Sequence, residues 1–174
     1  MKKVKLLLVV TGMMLSLAVS AQKYHDAEGD QISGHAKSLT ISSNGQSQTV
    51  TYTQDGKIQS PDITSPSYNA KGYMTSCSYT MQGYTGKMVF HYNAKNQITK
   101  QVLSIEGGTI SQEFTYNSNG TVKTETTTMS YQGMSQSMTV TFTYQDFDSH
   151  GSWTRRTGTL NGQSAEETRT ILYW

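Results

Sequence analysis

Residues 90–100 read FHYNAKNQITK, and residues 114–124, 24 positions later, read FTYNSNGTVKT. Both stretches place an aromatic residue and a tyrosine before a short polar loop, and a branched apolar residue after it. Apolar and polar residues alternate before the loop, as in a strand that buries one face. Asn and Gly in the loop tolerate the left-handed backbone of a tight reversal. The stretch therefore predicts a β-hairpin that the chain repeats.

The same layout recurs along most of the chain. In four copies a tyrosine is followed six positions later by Ile, Met or Val, and in the fifth three extra residues, which we assign to the loop, precede Trp153. Residues 24–32 read as a worn first copy. Repetition at this period indicates repeated supersecondary units, and we expect the repeat tyrosines to lie in the core. The other copies are VTYTQDGKI (50–58), PSYNAKGYM (66–74) and FTYQDFDSHGSW (142–153).

The fold class that follows is all-β, an antiparallel meander of repeated hairpins with about ten or eleven strands. No helical stripe is present to cover the aromatic face, so the sheet must bury that face by curling, as a curled single sheet, an open barrel or a sandwich. Pro61 and Pro66 predict a loop break over 59–67 after the first hairpin. Residues 121–131, TVKTETTTMSY, are polar on both faces and are predicted to lie at an edge or project into solvent.

The first 21 residues predict a signal peptide, with Lys2, Lys3 and Lys5 before an apolar run that ends in small residues. Cleavage after Ala21 leaves residues 22–174 as a single β-repeat domain. Position 22 is Gln and not Cys, so no lipid anchor is expected. The chain is predicted to be exported by a Gram-negative bacterium to the periplasm or the extracellular space.

Charge and cysteine content narrow the function classes. Three of the 14 Lys and Arg residues and none of the 12 Asp and Glu residues lie in the predicted signal peptide, so 11 basic and 12 acidic residues remain. A net charge of −1 without a basic run does not predict a nucleic-acid partner. Cys77 is the one cysteine, which excludes an intramolecular disulfide and predicts a small buried side chain, with a reactive or pairing thiol as the alternative.

The repeat resembles the YD repeat of Rhs-type secreted and surface proteins. The shared pattern is a Tyr, then Asn or Asp, then Gly and an apolar residue, over 52–156, and YQDFDSHGSWTRRT is similar to the end of that motif in small secreted relatives. Asp directly follows Tyr in none of the copies. The resemblance implies hairpins stacked into a strip or shell, and five copies are too few to enclose a folded cargo.

Three residues in the last repeat loop form the densest group of metal-ligand types. Asp146, Asp148 and His150 alternate as in calcium loops, but no bidentate Glu follows. We expect a polar loop capping a hairpin, with a metal site as the alternative. No hydrolase, zinc or phosphate-binding motif is present, and Glu166 and Glu167 would point to opposite faces of a strand. The sequence predicts neither an enzyme nor a cofactor.

Three hypotheses for the function remain. The first is a non-catalytic binding or structural module for a protein or glycan, with Tyr84, Tyr131 and Trp174 as candidate contacts because they lie outside the repeat register. The second is a carrier of a small apolar ligand inside the curled sheet. The third is a glycan-active enzyme with dispersed carboxylates. The carrier hypothesis rests on methionines predicted on the inner face, Met74, Met81, Met88 and Met138.

Two further expectations concern the surface of the molecule. Residues 121–131 lack the continuous apolar face of an outer-membrane strand, so the chain is not predicted to span a membrane. Unprotected edge strands predict a tendency to self-associate.

Overall fold

The structure, a computed structural model, describes residues 23–81 and 83–174. The predicted signal peptide lies outside the described residues. The described residues form twelve β-strands and one short 3-10 helix, Ala27–Asp30. The strands are β1 (Ala36–Ser43), β2 (Gln46–Tyr52), β3 (Ile58–Gln59), β4 (Ile63–Tyr68), β5 (Met74–Met81), β6 (Tyr84–Tyr92), β7 (Ile98–Ile105), β8 (Gly108–Tyr116), β9 (Val122–Tyr131), β10 (Met134–Phe147), β11 (Trp153–Leu160) and β12 (Gln163–Tyr173).

All twelve strands belong to one antiparallel sheet, in the order β3-β2-β1-β12-β11-β10-β9-β8-β7-β6-β5-β4. From β4 to β12 each strand pairs with the next in sequence, which is the predicted meander. β1 pairs with β12, with Leu39 opposite Ile171, so the first hairpin extends the sheet beyond its last strand. The all-β antiparallel meander is confirmed, with twelve strands in the described residues.

The two edge strands, β3 and β4, follow each other in sequence and are joined only by residues 60–62. Such a short link can join opposite edges only if the sheet curls until they meet, and the sheet is nearly closed into a barrel. The loop predicted over 59–67 is wrong for most of its length, because residues 63–68 form β4. Pro66 lies at a bulge of this edge strand, where its missing N–H is tolerated.

The five long loops of the repeats share one main-chain hydrogen bond, from the N–H of the first loop residue to the carbonyl four positions later. The Asn93 Oδ1 accepts from the main-chain N–H groups of Lys95 and Gln97, at 2.9 and 3.0 Å. Asp148 Oδ1 accepts from the N–H groups two and four positions later in the same way. The fifth loop is therefore as short as the others, and the prediction of three extra loop residues is wrong. The extra residues lengthen β10, whose pairing with β11 shifts register after Tyr144.

The repeat tyrosines tie consecutive copies together. In three copies the tyrosine hydroxyl donates to the main-chain carbonyl of the apolar residue that follows the loop of the preceding copy, which satisfies a main-chain acceptor beside the core. This confirms that the repeat tyrosines pack in the core. The bonds are Tyr92 to Met74 (2.6 Å), Tyr116 to Ile98 (2.6 Å) and Tyr144 to Val122 (2.9 Å).

The outer face of the sheet is covered by hydroxyl side chains. Thr139, Thr141 and Thr143 are exposed, as the alternation in β10 predicts. Hydroxyls bond across neighbouring strands, as between Thr126 and Thr139 at 2.9 Å. The inner face carries the aromatic and aliphatic core, and Cys77 is buried there. The predicted division between a solvated and a buried face is confirmed.

Strand β9 does not lie at an edge, and that part of the prediction is wrong. It pairs with β8 and with β10 along its length. Glu125 and Thr127 point into the barrel, where Glu125 Oε1 accepts from Gln112 Nε2 at 2.5 Å and from the Thr127 hydroxyl at 3.0 Å. Gln112 in turn accepts from Gln101 at 2.8 Å. Polar residues therefore line part of the interior, because neighbouring strands supply their partners.

Candidate functional site: a pocket under the barrel seam

Residues 23–35, here called the N-terminal strap, lie across the end of the barrel that carries the long loops. Residues 24–32 do not form a hairpin, so the prediction of a worn repeat is wrong. The Tyr24 N–H donates to the carbonyl of Asp55 in the loop before β3, at 2.9 Å. The His25 N–H donates to the carbonyl of Gly72 in the loop after β4, at 3.1 Å. The strap thereby joins the two open edges of the sheet.

Asp26 joins the same two edges through its side chain. Its Oδ2 accepts from the main-chain N–H of Ile58 on β3 at 2.9 Å and from the hydroxyl of Tyr68 on β4 at 2.7 Å. The Asp26 side chain is buried, with 8% of its surface exposed. A single carboxylate therefore replaces the strand pairing that is missing at the seam between β3 and β4.

The rest of the strap is held by groups that project from the barrel wall. Arg169 donates to the carbonyls of Asp30 and Gln31, the second at 2.7 Å. The Tyr52 hydroxyl donates to the Asp30 carboxylate. The Tyr73 hydroxyl donates to Glu28 at 3.2 Å. The acidic residues of the 3-10 helix thus meet donors from the wall, which explains why they are buried so close to the core.

A cavity of about 70 Å³ lies beneath the strap. Residues from the strap, from both edge strands and from β5 to β7 form its wall, so it occupies the part of the interior next to the seam. Most of the wall is aliphatic, aromatic or sulfur-containing. The lining residues are His25, Asp26, Gly29, Asp30, Ile58, Ile63, Met74, Cys77, Tyr79, Met88, Phe90, Tyr92, Ile98 and Gln101.

Burial sets the protonation of the groups in this wall. It raises the pKa of Asp26 to about 6, although the Ile58 N–H, the Tyr68 hydroxyl and the Lys57 ammonium act in the opposite direction. Burial also raises the pKa of the Cys77 thiol to about 12. Cys77 therefore remains a neutral thiol at physiological pH, and Asp26 changes charge near pH 6.

Two of the methionines predicted on the inner face line this cavity, Met74 and Met88. Met138 packs against a separate cluster formed by residues of β7 to β11 and Tyr73. The side chain of Met81 lies outside the described residues. The carrier hypothesis predicts four methionines on the inner face of the sheet, and two of the four line the same cavity.

The predicted metal candidates are engaged with other protein groups. Asp146 Oδ2 accepts from Arg155 Nε at 2.7 Å, and Asp148 Oδ2 accepts from the Tyr173 hydroxyl at 2.6 Å. The His150 ring stacks on the Tyr173 ring at 3.9 Å. This loop caps a hairpin. Within residues 23–81 and 83–174, no group of three or more His, Cys, Asp or Glu side chains is placed to hold a metal ion.

The predicted contact residues lie at opposite ends of the barrel. Tyr84 and Tyr131 are 67% and 51% exposed at the tips of the tight hairpins, where Met134 is also exposed. Trp174 lies at the strap end and is half exposed. The main-chain N–H of Trp174 donates to the His35 carbonyl at 3.0 Å, and the Lys37 ammonium lies 5.0 Å from the centre of the Trp174 ring. The three residues therefore do not form one site.

Sequence reasoning missed the strap residues that form the polar side of the cavity, His25, Asp26 and Asp30. The segment 24–32 matched the tyrosine pattern only loosely, and it contains three of the chain's acidic residues within five positions. That acidic density, unusual for a strand, is the local signal that separates the strap from the true repeats.

Comparison of the chain with protein-family models finds no matching family, and comparison with curated proteins finds no match. The resemblance to YD-repeat proteins therefore stays a prediction. In the described part of the chain, no helix has the length and apolar character needed to cross a membrane.

Proposed function

We propose that this protein is an exported carrier that holds a small apolar ligand, or the apolar end of one, in the cavity under the seam. The observation that supports the proposal is the cavity itself, because a curled sheet with a filled interior would have no room for a ligand. Binding sites for small molecules are concave and mostly apolar, with a few polar groups that orient the ligand. Met74, Met88 and Ile63 supply the apolar wall, and Asp26 supplies a polar group.

The cavity volume limits what can enter. A volume of about 70 Å³ is roughly half that of an engineered cavity of about 150 Å³ that holds benzene. A sugar ring is larger than benzene, so the volume does not favour the glycan-active enzyme, even though Asp26 and Asp30 both line the wall. A narrow alkyl chain is the group that fits best.

Xenon tests whether the cavity accepts an apolar guest, since dry apolar cavities bind it. We expect dissolved xenon to shift the ¹³C-methyl signals of Met74 and Met88, while the exposed Met134 methyl stays unchanged. Assignments come from single Met→Leu variants. Absence of shifts at both Met74 and Met88 would contradict the proposal.

A pair of Cys77 variants sharpens this test. Cys77→Leu adds volume inside the cavity and should abolish the xenon shifts, whereas Cys77→Ala enlarges the cavity and should retain them. An unchanged methyl signal of Met138, which packs against the core, establishes that each variant is folded. Native mass spectrometry of the protein from its host's envelope and culture fluid should then reveal a bound mass that is lost on denaturation.

A second candidate function is the binding module for a protein or glycan partner. The exposure of Tyr84, Tyr131 and Met134 at the hairpin tips supports it, because large exposed apolar side chains are common at binding surfaces. Binding to an array of bacterial glycans should then be lost in a Tyr84→Ser/Tyr131→Ser double variant. It should persist in Trp174→Ser, since Trp174 lies at the other end of the barrel.

A further inference from the structure

The polar side of the cavity is acidic. Asp26 and Asp30 both contribute to its wall, and among the described residues no Lys or Arg side chain does. His25 also lines the wall, and its Nδ1 is bound to Glu28 at 2.5 Å. Lys23, the lysine of the strap, lies outside the lining, and its ammonium sits 5.2 Å from the Tyr24 ring centre. A ligand that enters the cavity therefore meets carboxylates and no lysine or arginine side chain of the described residues.

The hydrogen bonds of Asp26 leave one of its oxygens unused. Both of its donors, the Ile58 N–H and the Tyr68 hydroxyl, bond to Oδ2. Oδ1 accepts no hydrogen bond from the described residues. A carboxylate has acceptor sites on both oxygens, so Oδ1 can accept a donor that a ligand supplies.

The charge of Asp26 is also without a partner at contact distance within the described residues. The Lys57 ammonium lies over the Tyr24 ring, 4.3 Å from its centre, and forms no ion pair with Asp26. His25 Nδ1 is bound to Glu28 at 2.5 Å. A buried carboxylate without an ion-pair partner is costly unless something compensates its charge.

We propose that the ligand carries a protonated amine on a short linear alkyl chain, with the ammonium bonded to Asp26 Oδ1 and the chain lying against Met74 and Met88. This inference rests on the proposed carrier function and specifies its ligand class. A hydrogen bond between an ammonium and a carboxylate is charge-assisted and stronger than a neutral one. It also compensates the negative charge that folding buries.

The same geometry disfavours fatty acids and other anions. A ligand carboxylate placed at the polar side of the cavity would face Asp26 and Asp30 with no Lys or Arg side chain of the described residues in the wall, and like charges at short range repel. A neutral alcohol of equal chain length fills the apolar part without gaining the charge-assisted bond. The three head groups therefore predict an order of affinity, amine above alcohol above carboxylate.

The test uses n-butylamine, n-butanol and n-butyrate as probes of one chain length, titrated into residues 22–174 at pH 7.5. Dissociation constants come from the Met74 and Met88 ¹³C-methyl shifts. We expect the amine to bind about tenfold or more tightly than the alcohol, in line with the strength of charged hydrogen bonds. Butyrate should bind more weakly than the alcohol.

Two variants isolate the role of Asp26. Asp26→Asn removes the charge and should bring the amine to within about threefold of the alcohol, while alcohol binding persists. Asp55→Asn is the matched control, because it removes one negative charge nearby from a fully exposed residue and should leave the amine preference intact. If Asp26→Asn fails to fold, the order of affinity of the three probes for the wild type still tests the proposal.

The outcomes separate this inference from the carrier function. Equal binding of amine and alcohol, or an amine preference that survives in Asp26→Asn, would overturn the amine inference and leave the carrier function in place. Failure of all three probes to shift Met74 and Met88 would overturn both.

Discussion

Arg156 and Glu167 form an ion pair inside the barrel, with 2.6 Å between Nε and Oε2, and neither side chain is exposed. They lie opposite each other on β11 and β12. The Arg156 guanidinium also packs over the rings of Phe142 and Trp153, at 3.9 and 4.3 Å from their centres. Arg155, the residue before Arg156, lies on the outer face, where it pairs with Asp146 and Glu166 in solvent.

Glu167→Gln should destabilise the fold by about 3–5 kcal/mol, because it leaves the buried Arg156 without its ion-pair partner. Glu166→Gln, one position away on the exposed face, should cost about 0–1 kcal/mol. Urea unfolding followed by tryptophan fluorescence measures both. Equal costs for the two variants would show that the interior pair does not hold the barrel as described.

Tyr116→Phe removes the hydroxyl that donates to the Ile98 carbonyl. We expect a loss of about 1–2 kcal/mol, since the variant loses one hydrogen bond and leaves a half-buried carbonyl without its donor. The control is Tyr131→Phe, whose hydroxyl lies at an exposed hairpin tip, and it should change the free energy of unfolding by less than about 0.5 kcal/mol. Chemical denaturation distinguishes the two.

Glu125 should make stability fall as pH rises. Burial is the main cause that raises its pKa from 4.5 to about 7 in the fold. Between those values the folded state binds more protons than the unfolded state, so its contribution to stability is full below pH 4.5 and is lost by pH 7–8. Relative to Glu125→Gln, the wild type should lose about 1–3 kcal/mol between pH 5 and pH 8. A constant difference across that range would contradict the prediction.

Gly72→Ala should detach the strap from the seam. A Cβ at Gly72 would lie 2.0 Å from the Lys23 carbonyl oxygen, and the residue has a φ of +84°. Gly162→Ala is the matched control, with a φ of +77° and nothing within 4 Å of the added Cβ. Both variants carry the backbone strain, but only Gly72→Ala should speed hydrogen exchange at the Tyr24, His25 and Ile58 amides.

Calcium should not change the melting temperature. The carboxylates of Asp146 and Asp148 already accept from Arg155 and Tyr173, so a cation would have to displace these donors. Thermal unfolding in excess calcium and in excess chelator should give the same midpoint. A rise in the midpoint with calcium would restore the metal alternative for this loop.

The sequence alone predicted parts of the candidate site. Alternation placed Cys77 on the inner face, where the structure buries it, and it separated Glu166 from Glu167, which are exposed and buried in the structure. Both results depend only on the period-two geometry of a strand. The same rule gave the wrong position for residues 121–131, because it treats a polar residue as exposed. Glu125 is buried with partners that come from strand β8 and from its own strand.

The sequence by itself determined the repeated hairpins, the position of the repeat tyrosines and the two faces of the sheet, because alternation and turn chemistry are local properties of the chain. Only the tertiary structure decided that β1 pairs with β12, that the strap crosses the seam and that Asp26 borders a cavity. Those features rest on partners far apart in sequence, such as Arg169 with Gln31. Such contacts specify the fold because they are buried, since a buried charge or hydrogen-bonding group requires a specific partner.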